Sequence, residues 1–381
     1  MGSAIPRGEL AAILAEARER TGVPAAVAGL LDGEEVELAA VGAADVATPF
    51  RIASVTKWFT ASLAVSCLDL EAPLAGATAA VLLSHTAGLR PESAERLPDG
   101  CVGLWSYSNA GYWLVGEACA AACGASFEDA VRGRLLEPLG MRATGFEEPR
   151  APARGHVQAG TTGHRVVERD AYPAARRPSG GLWSTAGDLL RFAQHQIGGP
   201  GPLSAAERAA VREPRVEALG ASYALGCWSR TLEGGRRALE HEGSTAGYQS
   251  FLLLLPDEAA ALVVLTNSWR GSGLVRRVVR DLGLVPASNS LLQAGTGPVE
   301  SGRYELDGAE AVVETQGGRV RVAEAETDPV TGERLAVESF AVEPLGDGVW
   351  GAAGGMLMSH RIDFPRPGVA RVGWVALPRA V

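Results

Sequence analysis

The chain has 381 residues, 46% of them apolar and 21% charged, and a formal net charge of −9. That length suffices for one large or two modest domains with a real core. The acidic balance, the lack of a basic run and the lack of any window of roughly 18 uncharged apolar residues argue against nucleic acid or a membrane as partner.

Residues 6–21 read as an amphipathic helix. Leu10, Ile13, Leu14 and Ala17 form an i, i+3, i+4, i+7 stripe among Arg7, Glu9, Glu16, Arg18, Glu19 and Arg20. The stretch has no apolar h-region of the signal-peptide kind, so a cytoplasmic protein is expected. Residues 24–31 and 36–42 flank the turn signal Asp32-Gly33 and predict a β-hairpin. Residues 54–69 are apolar nearly all round, which predicts a buried helix. Helical patterns recur at 109–123, 126–137, 184–197 and 204–212. Residues 222–229, 237–241, 247–255 and 260–266 read as strands. The near-continuous apolar runs of the last two predict a central sheet covered on both faces. A further amphipathic helix falls at 272–283. Residues 286–300 read as a linker. The segment 301–381 alternates short strand-like runs with Gly and Pro and reads as a small all-β C-terminal domain. The five cysteines (Cys67, Cys101, Cys119, Cys123, Cys227) are odd in number and lie in apolar or helical settings, which predicts free thiols.

Of the 35 basic residues, Lys57 is the one lysine. Arginine therefore serves wherever a plain positive charge is needed. A single lysine is a candidate for a task arginine cannot do, because a buried lysine can lose its proton and arginine does not. Ser54 and Lys57 stand i, i+3 and share one helix face. Ser54 opens the helix, where free N–H groups and the positive dipole end favour developing negative charge. Lys57 lies inside the apolar helix, where desolvation lowers its pKa and frees an amine base. The alternative is a helix-capping serine and a snorkelling lysine.

Tyr107-Ser108-Asn109 precedes the next long helical run. A phenol there can relay a proton, and an amide can hold a substrate carbonyl and orient the lysine. The alternative is a core tyrosine with Asn109 as N-cap. His241-Glu242-Gly243-Ser244 ends a predicted strand. A strand beside the nucleophile can offer a backbone N–H to an oxyanion, and Gly243 permits the close approach. The N–H groups of Ser54 and Ser244 are the candidate oxyanion donors. His241 is a candidate for proton transfer or for holding a substrate carboxylate.

SVTK (54–57), YSN (107–109) and HEG (241–243), in this order, resemble the Ser-x-x-Lys, Tyr-x-Asn and Lys/His-x-Gly motifs of serine β-lactamases, penicillin-binding DD-peptidases, D-aminopeptidases and related esterases. LLSHTAGL (82–89) and GGLWSTAGDLLRF (180–192) look like scaffold of the same family, with His85 structural. The resemblance implies a mixed α/β (α+β) domain over residues 1–285. An antiparallel sheet flanked by helices would carry an all-helical lobe at roughly 70–215, with the site between them. The C-terminal segment is similar to the small β-domain of some D-aminopeptidase and peptide-cyclase relatives. Histidine in the third motif fits peptidase, aminopeptidase and esterase relatives better than true β-lactamases.

The expected function is hydrolysis of an ester or amide, such as a D-amino-acid-containing peptide bond, through an acyl-enzyme on Ser54. Lys57 is the base, Tyr107 the proton relay, and Asn109, His241 and Gly243 line the substrate. The alternatives are an acyltransferase or peptide cyclase using the same acyl-enzyme, and a non-catalytic penicillin-binding or sensor module. The partner is a small molecule or peptide, and the scheme calls for no metal and no cofactor.

Overall fold

The computed structural model describes residues 5–6, 8–159, 163–167, 172–286, 299–306, 309–316, 319–327, 334–346, 349–351, 361–372 and 375–380. Most of the linker expected at 286–300 lies outside them. The first helix, α1 (Leu10–Thr21), buries Leu10, Leu14 and Ala17 and ends at a left-handed Gly22. β1 (Ala25–Asp32) and β2 (Glu35–Gly42) form the expected hairpin, in register from Asp32↔Glu35 to Ala25↔Gly42. After two helical segments, α2 (Thr56–Cys67) and α3 (Asn109–Cys123), and the helix α4 (Ala186–Ile197), the chain returns to strands. These are β3 (Val216–Ala218), β4 (Ala221–Tyr223), β5 (Trp228–Thr231), β6 (Arg237–Thr245), β7 (Tyr248–Leu255) and β8 (Ala260–Thr266). They complete an eight-stranded antiparallel sheet of order β2-β1-β8-β7-β6-β5-β4-β3. A last helix, α5 (Gly271–Asp281), follows.

The single strand expected at 222–229 is two strands joined by a turn. Gly226, at φ 80°, reverses the chain, and Ala224 N bonds to Cys227 O at 2.9 Å. The apolar run there hid the reversal.

β7 and β8 show why the sheet is covered twice. Leu252, Leu254, Val263 and Leu265 join one core with Trp58, Phe59, Leu189 and Leu190 of α2 and α4. Phe251, Leu253, Leu262 and Val264 join another with Leu10 and Leu14 of α1 and Leu274 and Val278 of α5. Alternate residues thus face opposite layers, so neither face reads as polar. α4 grips α2 directly: Phe192 stacks on Phe59 at 4.0 Å and meets Trp58 edge-on at 6.0 Å. Among the described residues no helix is long and apolar enough to cross a membrane. The five cysteines are free; Cys101, Cys119 and Cys227 are buried, Cys67 and Cys123 partly so.

The C-terminal strands form a second eight-stranded antiparallel sheet: β9 (Gly302–Leu306), β10 (Ala309–Gln316), β11 (Arg319–Thr327), β12 (Arg334–Gly346), β13 (Val349–Gly351), β14 (Arg361–Arg366), β15 (Val369–Val372) and β16 (Val375–Pro378). They pair in sequence order, and a bridge between Tyr304 and Arg379 brings the last strand back to the first. The described strands therefore curl round into a barrel, with first and last in contact. Its core of Tyr304, Val313, Val322, Ile362 and Leu377 also takes in Leu97 and Cys101 of the helical lobe.

Candidate active site

Ser54 sits in a 3-10 turn, Ala53–Val55, that leads into α2. Ala53 is at φ 43°, a left-handed conformation uncommon for a residue with a Cβ and of the kind that gathers at active sites. The surroundings hold it there. Ile52 N bonds to Leu182 O at 3.0 Å, and Ser250 Oγ donates to Ile52 O at 2.7 Å. Ser54 itself is half-buried.

Lys57, one turn on, is fully buried. Its Nζ lies 3.2 Å from Ser54 Oγ, 2.6 Å from Asn109 Oδ1 and 2.6 Å from Ser179 O. The two shorter contacts go to acceptors that have no hydrogen to give. A neutral amine carries two hydrogens and a lone pair. With both hydrogens committed to Asn109 and Ser179, the lone pair is left for the Ser54 hydroxyl. Burial holds the Lys57 pKa well below its usual value, with the Glu92 carboxylate pulling the other way. Lys57 Nζ also lies over the Tyr107 ring at 4.6 Å and the Tyr112 ring at 5.3 Å, contacts that favour the ammonium. Desolvation outweighs them. The snorkelling alternative therefore fails.

The Tyr107 hydroxyl is within hydrogen-bond reach of Ser54. Burial pushes its pKa well up, more than the Ser54 bond lowers it, so it is a neutral phenol. His85, at φ 61°, packs tilted against the Tyr107 ring at 4.2 Å and accepts from Ser108 N through Nδ1 at 3.1 Å. That bond needs a neutral ring, and burial depresses the His85 pKa accordingly. The N-cap of α3 is Ser108, whose Oγ accepts from Gly111 N at 3.3 Å, not Asn109. The Asn109 side chain is thereby spared from capping and serves Lys57.

The third motif arrives along β6. β5 pairs with it only as far as Glu240, so His241–Thr245 run on beside Ser54, paired to β7. A Cβ on Gly243 would stand 2.2 Å from Ile52 O and 3.1 Å from Ser54 N. Only glycine lets the strand come this close. Ser244, next along, accepts from Gln249 Nε2 through Oγ at 2.8 Å. His241 is fully buried, with Nε2 3.3 Å from Tyr223 Oη and Nδ1 2.5 Å from Glu242 O. Burial, then the charge of Lys57, takes its pKa down to about 3. As placed it is a neutral prop in the aromatic wall behind Tyr107, without the exposed cation that gripping a substrate carboxylate would take.

Several site residues lie outside the three motifs. Ser179 precedes the GGLWSTAGDLLRF scaffold stretch, and Trp113 Nε1 donates to its Oγ at 2.9 Å. Glu92 accepts from Asn109 Nδ2. Ser250 braces Ile52. No local pattern singles them out. They act through a backbone carbonyl or through long-range side-chain bonds, and only the neighbourhood of LLSHTAGL and GGLWSTAGDLLRF hinted at them.

A family model described as Beta-lactamase matches residues 10–284. A curated relative, Penicillin-binding protein 4 of Amycolatopsis lactamdurans, is 26% identical over 326 residues, covering 68% of this chain and 84% of its own. The crystal structure of SurE is 25% identical with a TM-score of 0.72 and covers 98% of this chain and 99% of its own, so its match runs through the C-terminal strands. A D-stereospecific amidohydrolase from Streptomyces sp. shares the fold of the main domain, at 21% identity and TM-score 0.63, over 71% of this chain and 98% of its own. The matched region holds all three motifs, and the chain belongs to the beta-lactamase family as a serine hydrolase of the beta-lactamase and penicillin-binding-protein type.

Proposed function

We propose that the protein cleaves an ester or amide bond, of a small molecule or a D-amino-acid-containing peptide, through an acyl-enzyme on Ser54. The observation that carries this reading is the buried Lys57 amine, bonded to Asn109 Oδ1 and Ser179 O and 3.2 Å from Ser54 Oγ. Lys57 takes the Ser54 proton as Oγ attacks the carbonyl carbon. The N–H groups of Ser54 and Ser244 receive the oxyanion, each worth roughly 3–4 kcal/mol. Tyr107, a neutral phenol in reach of Ser54, passes a proton to the leaving group, and water releases the acyl chain. The Asn109 amide and the Gly243 edge flank the bound substrate, while His241 supports the wall behind Tyr107. Free cysteines and a net charge of −9 support a cytoplasmic setting without nucleic acid as partner.

The relative's name, a penicillin-binding protein, supports a β-lactam as probe. Incubation with a fluorescent penicillin or an activated ester, followed by intact-mass and peptide analysis, should place one acyl group on Ser54 and none on Ser54→Ala. Release as free acid supports hydrolysis. Product carrying an added amine, or a cyclic product, turns the reading to acyl transfer. An unlabelled Ser54 together with wild-type turnover in Ser54→Ala would sink the reading.

A further inference from the structure

The loop Leu89–Glu92 crosses the N-terminal end of α3. Pro91 O accepts from Asn109 N at 2.7 Å and from Ala110 N at 3.3 Å, and Arg90 O accepts from Ser108 Oγ at 2.7 Å. This seats Glu92 beside the first turn of the helix, at the positive end of its dipole, which favours a carboxylate. Glu92 Oε1 accepts from Asn109 Nδ2, and Oε2 faces Arg176 Nη1 at 3.6 Å. Arg176 lies over the Trp113 ring at 5.1 Å, and Trp113 Nε1 donates to the Oγ of Ser179. Lys57 donates to the carbonyl of that same Ser179. The contacts close a ring that runs Lys57, Asn109, Glu92, Arg176, Trp113, Ser179 and back to Lys57.

An asparagine amide presents an acceptor on one side and a donor on the other, and a half-turn about its last bond exchanges them. Turned the wrong way, Asn109 would set its N–H against the hydrogens of Lys57. A carboxylate only accepts. Glu92 therefore selects Nδ2 and leaves Oδ1 for Lys57. Without Oδ1, one hydrogen of the amine loses its acceptor and the lone pair loses its direction. We infer that Glu92 is a positioning residue which, by fixing the Asn109 amide, aims the lone pair of Lys57 at the Ser54 hydroxyl. The inference rests on reading Ser54 as nucleophile and Lys57 as base. It has a second, electrostatic side. The negative charge favours the ammonium form of Lys57, so its removal should ease deprotonation even as aim is lost.

The two effects separate in one experiment on the full chain. Activated-ester turnover is followed against pH for wild type, Glu92→Ala, Glu92→Gln, Asn109→Ala, the Glu92→Ala/Asn109→Ala pair and Ser54→Ala. Glu92→Ala should lower kcat by about 10- to 100-fold with KM changed less than about threefold, a partial loss of the roughly 10²- to 10⁴-fold that a positioned base supplies. Glu92→Gln keeps an acceptor oxygen and should recover most of kcat. Both should move the acid limb of kcat/KM to lower pH. In the Asn109→Ala background, Glu92→Ala should cost nothing more. Wild-type kcat in Glu92→Ala, or a loss that adds in full to that of Asn109→Ala, would overturn the inference. If Glu92→Ala unfolds, Glu92→Met takes its place, and wild-type kcat there overturns the inference instead. Ser54→Ala keeps the two levels apart: activity there ends the reading of the site, whereas an inactive Ser54→Ala beside an unaffected Glu92→Ala ends the role of Glu92 alone.

Discussion

The backbone N–H of Ala376 donates to Ser106 Oγ at 3.1 Å, a buried bond across 270 residues of sequence. Ser106 immediately precedes Tyr107. The same segment is gripped twice more: Arg366 Nη1 donates to Gly100 O at 3.2 Å and Val102 O at 2.8 Å, and Leu97 and Cys101 sit in the barrel core. The C-terminal barrel thus holds the strip of chain that delivers Tyr107 and Asn109. Replacing Ser106 and Arg366 together by alanine should lower the unfolding midpoint by a few degrees, at about 1 kcal/mol per lost bond. It should also lower kcat about tenfold, because a small misplacement of a proton-transfer group is costly. Thermal melts and ester kinetics on the double variant check both. An unchanged kcat would leave the barrel without a hand in the site.

Lys57→Arg imposes a permanent charge and loses the base. A guanidinium stays protonated in proteins and cannot take the Ser54 proton. Loss of kcat/KM by about three orders of magnitude is expected, within the range for general base catalysis. Turnover of an activated ester measures it, and intact mass should show slow or absent acylation.

Activity should rise with pH through the depressed pKa of Lys57, well below 10.5, because the neutral amine is the working form. Stability follows the same group. Between that depressed pKa and the unfolded value, the unfolded chain binds the extra proton, so stability grows as pH rises. The stability of wild type relative to Lys57→Met should therefore increase toward alkaline pH by up to about 1.4 kcal/mol per pH unit. Denaturant titrations of both proteins at several pH values test the slope.

His241, at about 3, and His85, also depressed, are both neutral in the folded state near pH 7. Neither should contribute a limb near pH 6.5 to kcat/KM. Both should make the fold weaken as pH falls below 6.5, since only the unfolded chain then takes up their protons. The slope is about 1.4 kcal/mol per pH unit for each, until the folded pKa is reached. His241→Gln should remove one such share, which denaturant melts at pH 5 and pH 7 would show.

Gly243→Ala places a methyl 2.2 Å from Ile52 O. The strand or the Ser54 turn must shift, and the oxyanion donors separate from the nucleophile. A fall in kcat of at least about 100-fold is expected, comparable to loss of one oxyanion donor. Penicillin labelling should slow in parallel.

Much of the scaffold was legible in the sequence, since the signals are local. The apolar run after Ser54 could only be a buried helix, and α2 buries every residue from Thr56 to Ala64. The helix at 109–123 and the strand at 260–266 have the bounds their periodicity predicts. Ser54 and Lys57 share a face because three residues make nearly one helical turn. The single lysine among 35 basic residues marked the amine whose chemistry differs.

Other features belong to contacts between distant segments, which periodicity does not encode. A hidden reversal at Gly226 split one apolar run into two strands. His241 looks the same in sequence whether it faces a cleft or a wall of tyrosines; only the packing of Tyr223 and Tyr107 around it made it neutral. The direction of the Lys57 lone pair depends on Asn109 Oδ1 and Ser179 O, which come from 52 and 122 residues away. Spacing along the chain brought the hydroxyl and the amine together, while the folded chain withdrew water from the amine and placed acceptors within its reach, and that is what fits this lysine for the role of base proposed above.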